Sequence, residues 1–186
     1  RKGIGTALMG RAIDYLRSAG IDTIALDATA EGKPVYQRLG FSDDYEVVRY
    51  AGTAPRAEPG RSLEWDDISD LCRFDARCFG ANRSRVVRLL FADCRNTSFV
   101  VRSDGNVAGY IMARPGTYAW NIGPWVSQDP QIAELLFRHV CAAIAGCSAV
   151  VDVPAPNAAG HEICARYGFA PSRRFDQCSS MACAKS

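Results

Sequence analysis

From Ile4 onward the apolar residues Ile4, Leu8, Ala12 and Leu16 return at every fourth position while Arg11, Asp14, Arg17 and Ser18 fall between them, which predicts an amphipathic helix ended by Gly20. After a short link, residues 23–26 form a β-prone apolar run that predicts a buried strand closed by Asp27. Residues 35–39 read as a second, short helix stopped by Gly40, and residues 45–50 as another strand. From 51 to 61 the periodicity lapses and Gly, Pro, Ala and charged residues collect, so this stretch reads as a linker. Beyond it, residues 68–79 and 85–91 read as helices, the second with Val86, Leu89 and Leu90 on one side. Residues 98–102 and 107–114 read as strands around Ser103-Asp104-Gly105-Asn106, a sequence with the chemistry of a hairpin turn. A strand over 120–126, a helix over 131–145, a buried strand over 149–153, a helix over 158–167 ended by Gly168 and a last strand over 175–182 complete the order.

Helix, strand ending in aspartate, short helix and Gly-Phe thus occur twice in the same order. Aligning Gly40-Phe41 with Gly168-Phe169 sets Gly32 on Gly160, and Asp27 corresponds to Asp152 once the second copy carries a three-residue insertion. The expected architecture is α+β with mixed αβα layers, built from two related domains over residues 1–52 and 63–186 with a linker at 53–62. Arg1 stands directly before a glycine motif rather than before a strand, so the first domain is expected to lack its front half.

A length of 186 residues agrees with one complete domain and part of another, and 48% apolar with 23% charged residues suits a packed core. Twenty-two basic and 20 acidic residues, mixed along the chain for a net charge of +2, form no basic stripe, so no nucleic-acid partner is expected. No apolar run approaches the roughly 18 residues of a membrane span, no membrane partner is expected, and the chain reads as cytoplasmic. Eight cysteines raise the question of metal or disulfide chemistry, but none forms a CxxC pair and Cys141, Cys147 and Cys164 lie in apolar patterns where a thiol acts as a small hydrophobe. His139 and His161 have no close-spaced partner ligand, so no metal is expected.

The strongest local motif is Lys2-Gly3-Ile4-Gly5-Thr6-Ala7 at the mouth of the first helix. A helix start offers unpaired N–H groups and the positive end of the helix dipole to a phosphate, and glycines clear the approach. Two other phosphate motifs fail on the residues. A dinucleotide fingerprint needs a small residue where this chain has Leu8, and a Walker A loop needs Ser or Thr where Pro34 follows Gly32-Lys33.

The run from Lys2 to Leu8, the strand ending Leu26-Asp27-Ala28-Thr29 and the segment Pro34-Val35-Tyr36-Gln37-Arg38-Leu39-Gly40-Phe41 together resemble, in order and spacing, the second half of an acetyltransferase domain of the GNAT superfamily. Residues 63–186 resemble the divergent GNAT-like domain that follows the catalytic one in some bacterial members, through the stretch from Ser103 to Tyr110, Ile122-Gly123-Pro124-Trp125-Val126 and Tyr167-Gly168-Phe169. The resemblance implies transfer of the acetyl group of acetyl-CoA to a primary amine on a small molecule, peptide or protein. It implies that Lys2, Gly3, Ile4, Gly5 and Thr6 cradle the CoA pyrophosphate and that Tyr36 matches the tyrosine often placed to protonate the departing thiolate. The arginine or glutamine that opens the family's glycine motif would precede Arg1. A thiolate whose conjugate acid titrates near about 8.5 and a phenol that ordinarily titrates near about 10 suit such a proton transfer.

Direct attack also needs a base, for which Asp27 and Glu31 qualify by position alone. The second domain departs from the catalytic pattern twice, with Ser127-Gln128-Asp129-Pro130-Gln131 in place of a glycine loop and Cys164 where Tyr36 stands in the first. It is therefore expected to be non-catalytic, with three roles open: completing the acceptor site, binding an effector, or forming a homodimer. A non-catalytic acyl-CoA-binding or metabolite-binding module is the alternative for the whole chain.

Overall fold

Residues 3–58 and 67–181 are described by the computed structural model. In chain order they form α1 (Ile4–Ser18), β1 (Thr23–Ala28), α2 (Lys33–Arg38), β2 (Ser42–Thr53), α3 (Ile68–Phe79), α4 (Ser84–Asp93), β3 (Ser98–Ser103), β4 (Asn106–Arg114), β5 (Trp120–Ser127), α5 (Pro130–Ala143), β6 (Ser148–Pro154), α6 (Ala158–Arg166) and β7 (Ala170–Met181). The strands hydrogen-bond in the order β1-β7-β2-β6-β5-β4-β3, a mixed sheet in which β1 with β7, β3 with β4 and β4 with β5 are antiparallel and β5 with β6 is parallel. The chain divides into two compact units, Arg1–Val48 with Pro154–Pro156 and Arg173–Ser186, and Arg49–Val153 with Asn157–Ser172, so the division falls within β2 and β7.

In the first unit Ile13 of α1, Ala28 of β1, Phe41 and Cys178 of β7 form the buried core, with Ile24, Leu26, Tyr36 and Leu39 packed against it. Two expectations change here. β1 is not buried on both faces: it pairs with β7 at one edge of the sheet order and alternates exposed and half-buried residues up to Ala28. On α1 the packing face is Met9, Ile13 and Leu16, whereas Ile4 and Leu8 remain 63% and 65% exposed. The four-residue spacing drifts around a 3.6-residue helix, so Ile4 and Leu8 turn to a different side from Ile13.

In the second unit β4 is buried at seven successive positions, because helices cover both its faces. From one side α3 and α4 bring Ile68, Leu71, Phe74, Val87 and Phe91. From the other α5 approaches so closely that a Cβ on Gly109 would lie 2.8 Å from Ile132 and 2.9 Å from Leu136. Asp75, 1% exposed, accepts two bonds of 2.8 Å from Arg83 and one from the Tyr110 hydroxyl. That pairing is what makes a buried carboxylate tolerable. Burial and the neighbouring Asp75 raise the pKa of Tyr110 far above the ordinary phenol range.

The repeat holds in backbone detail within each unit. Gly40 and Gly168 both end a short helix with positive φ, 87° and 80°, and the next amide closes the same bond in each case, Phe41 to the Tyr36 carbonyl at 3.1 Å and Phe169 to the Cys164 carbonyl at 2.9 Å. These are the bonds of a Schellman cap. They also establish Tyr36 and Cys164 as equivalent positions. The start of the expected linker instead continues β2 to Thr53, with Gly52 pressed against the Phe169 ring, where a Cβ would come within 2.9 Å.

His139 on α5 is 8% exposed, lies 6.0 Å from the Phe99 ring centroid, and has no hydrogen-bond partner for its Nδ1 among the described residues. Burial pushes its pKa below the ordinary value of 6.5. The folded chain therefore binds the proton less readily than the unfolded one, and the stability present above that ordinary value is lost as pH falls toward the depressed one. The urea midpoint is expected to drop between about pH 7 and pH 5, with His139→Leu removing part of that slope. An equal slope in the variant would assign the acid sensitivity to other groups.

Candidate functional site

Gly3 caps α1 in the left-handed conformation, φ 68° and ψ 5°, with no side-chain hydrogen bond, and the first bond of the helix runs from the Ala7 amide to the Gly3 carbonyl at 3.0 Å. The amides of Ile4, Gly5 and Thr6 precede that bond, in the turn that lacks intrahelical acceptors and carries the positive end of the dipole. The positive φ accounts for glycine at position 3. Nothing in the fold accounts for Gly5: its φ is ordinary, and a Cβ there would meet nothing within 4 Å. Alanine would suit the helix better by about 0.5–1 kcal/mol.

That backbone opens on a cleft of about 630 Å³ lined by Gly3, Ile4, Gly5, Thr6, Leu8 and Met9 of α1 and by Gly32, Val35 and Tyr36. The exposed Ile4 and Leu8 are thus cleft walls, which the helical period alone did not reveal. Tyr36 lies on α2 with its ring edge-on to Phe41, 6.1 Å between centroids. Gly32 leaves room for the ring, since a Cβ there would stand 3.2 Å from Tyr36 Cε2. Among the described residues the Tyr36 hydroxyl has no hydrogen-bond partner. The structure therefore brings Gly3, Ile4, Gly5, Thr6 and Tyr36 to one cleft, while Lys2 lies outside the described residues.

The two carboxylates considered as bases are placed less favourably. Asp27 is exposed on β1 opposite Gln177. Glu31 is bonded to its own backbone amide and to the Thr29 hydroxyl, and these bonds hold its pKa below the usual carboxylate value. A carboxylate stabilised as the anion is a weaker proton acceptor. Among the described residues no group of three His, Cys, Asp or Glu is arranged to hold a metal ion, and no helix is long and apolar enough to cross a membrane.

The second unit has its own cleft of about 370 Å³ at the starts of α5 and α6, lined in part by Trp125, Ser127, Gln128, Asp129, Asn157 and Cys78. Each helix start has one of its first-turn amides capped by a side chain of its own. Asp129 accepts from the Ile132 amide at 2.9 Å and Asn157 from the Gly160 amide at 2.9 Å, while Pro130 has no N–H to give. Cys164, in the Tyr36 position, is fully buried, and burial pushes its thiol up to about 12. This unit offers neither an open anion cradle nor an accessible acid at the equivalent places.

A family model described as an acetyltransferase (GNAT) domain matches residues 71–186, more than half of the 186-residue chain. The chain belongs to the GNAT acetyltransferase family. A second GNAT family model matches residues 1–41, which include the α1 mouth and Tyr36. Among curated proteins the chain is similar to the holothin acyltransferase of Pseudoalteromonas sp. (strain SANK 73390), 26% identical over 158 residues, with 82% of this chain and 53% of that protein covered. It is also similar to the uncharacterized N-acetyltransferase YitH of Bacillus subtilis (strain 168), 24% identical over 152 residues, with 78% and 54% covered. The chain thus spans about half the length of these curated relatives. A proposed acetyltransferase from Pyrococcus horikoshii, of known crystal structure, shares the fold with a TM-score of 0.79 at 23% identity, covering 100% of this chain and 62% of that one. A GCN5-related N-acetyltransferase from Sphaerobacter thermophilus does so at 0.66 and 15% identity, covering 96% and 68%.

Proposed function

We propose that the first unit handles acetyl-CoA in an N-acetyltransferase that moves the acetyl group to a primary amine by direct attack. The observation that carries this reading is Gly5, a helical glycine with open space at its Cβ, in the turn of free amides that lines the cleft with Tyr36. The amides of Ile4, Gly5 and Thr6, in the motif that Lys2 and Gly3 open in the sequence, receive the pyrophosphate oxygens of CoA. The amine nitrogen forms its bond to the acetyl carbon, the carbon–sulfur bond breaks, and the Tyr36 hydroxyl gives its proton to the departing sulfur. The proton lost by the amine passes to a base or to solvent. Of the two candidates Glu31 is weakened as a base by the hydrogen bonds it accepts.

The two separate family matches, to residues 1–41 and 71–186, support reading the chain as a catalytic GNAT segment followed by a divergent one, although the strands run in one seven-stranded order and the two compact units divide within β2 and β7 rather than at 53–62. The self-capped helix starts and the buried Cys164 favour a non-catalytic role for the second, in shaping the acceptor site, binding an effector or forming a homodimer. Incubation of the protein with acetyl-CoA and a panel of small-molecule and peptide amines, with free thiol as the readout, separates enzyme from binding module. Thiol release that depends on the amine is expected. Thermal stabilisation by acetyl-CoA with no release under any amine would establish a binding module instead.

A further inference from the structure

We propose that Lys33 is a positioning residue for Tyr36, clasping α2 to β2 and β7 so that the Tyr36 hydroxyl is held at the cleft. This inference rests on the reading of Tyr36 as the proton donor. α2 is six residues long and its N-cap, Gly32, makes no side-chain hydrogen bond. A helix so short does not hold its shape in water unaided, so its position must come from tertiary contacts. On one side Tyr36 and Leu39 pack against Ile13, Ala28, Phe41 and Cys178. Lys33 supplies the other hold, its ammonium lying 2.7 Å from Asp43 of β2 and 3.1 Å from Asp176 of β7.

The clasp is tied into the packing beneath the ring. Asp43 also accepts a hydrogen bond from the Cys178 thiol at 3.4 Å, and Cys178 is part of the core on which Tyr36 rests. Lys33 and Tyr36 are three residues apart, so they are neighbours on the helix surface. Two carboxylates on one ammonium keep that ammonium charged, and both raise its pKa. Without it Asp43 and Asp176 would face each other as like charges, and the seat of α2 would open. A shift of about 1 Å in a reacting group costs up to about a hundredfold in rate, so α2 need not unfold for turnover to suffer.

The test is a double-mutant cycle in steady-state turnover of acetyl-CoA by the intact protein, with an amine found by the thiol-release panel. Lys33→Met is expected to lower kcat about tenfold with KM for acetyl-CoA changed by less than about twofold, and Lys33→Arg to restore most of the loss. In a Tyr36→Phe background the same Lys33→Met change is expected to cost less than about twofold, because the group it positions is gone. Equal loss in both backgrounds, or a change in KM rather than kcat, overturns the inference. If Lys33→Met does not fold, Asp176→Asn keeps the shape and the Lys33–Asp43 pair and is read in the same cycle, with a smaller kcat loss that must also vanish without the Tyr36 hydroxyl. Full turnover by Tyr36→Phe, or no turnover of any amine, defeats the proton-donor reading and Lys33 with it. A slow Tyr36→Phe combined with additive losses defeats the Lys33 inference alone.

Discussion

Tyr36→Phe is expected to lower kcat about a hundredfold while leaving KM for acetyl-CoA within about twofold of the starting value. Tyr36 lines the cleft and its hydroxyl has no partner among the described residues, so its removal costs no internal hydrogen bond. The ring, which packs on Phe41 and the core of the first unit, is kept. Folding and cofactor affinity therefore stay near their original values, and only the step that needs a proton suffers. Initial rates of thiol release at saturating amine, together with a melting curve, check both halves. Undiminished turnover would remove Tyr36 from the chemistry and leave it a packing residue.

Gly5→Ala should separate stability from binding in opposite directions. With ordinary φ and open space at the Cβ, alanine fits the helix and is expected to raise unfolding free energy by roughly 0.5–1 kcal/mol. The same methyl stands among the free amides of the first turn and is expected to weaken coenzyme A binding at least about tenfold, because it holds the pyrophosphate off the backbone. Gly10 provides the control. It lies in the same helix with the same open space, yet outside the cleft lining, so Gly10→Ala should give a similar gain in stability with affinity unchanged. Titration calorimetry with coenzyme A on the three proteins checks this. Equal affinity in all three would show that the helix mouth does not hold the diphosphate.

Local patterns made much of this molecule legible. Among the described residues every α-helix and strand was expected from periodicity and turn chemistry, whereas the 3-10 turn at Arg95–Thr97 was not, and the glycine motif and Tyr36 reach one cleft because a helix, a strand and a short helix in succession bring those two ends together. Pairing partners were harder to read. Ala51-Gly52 continues β2 because Phe169 packs on the bare Gly52, a contact across more than a hundred residues that no local signal carries. β7 begins at Ala170, well before its β-prone part, because strand pairing overrides the weak propensity of Pro171-Ser172-Arg173-Arg174. The Lys33 clasp was illegible for the same reason, since Asp176 lies far along the chain from it. The exposed face of α1 could be inferred only after the cleft was known.

The pairing of β1 with β7 joins residues 23–28 to residues 176–181, with about 150 residues between them. At a ribosomal pace of roughly 5–20 residues per second, β1 is made about 7–30 s before the strand that will cover its edge. In that interval the nascent chain carries an open β edge, the kind of surface that joins to the wrong neighbour. Slow synthesis of the final third, or premature release of the polypeptide before Arg173, should therefore harm the segment around β1 most, and chaperone dependence should be concentrated there.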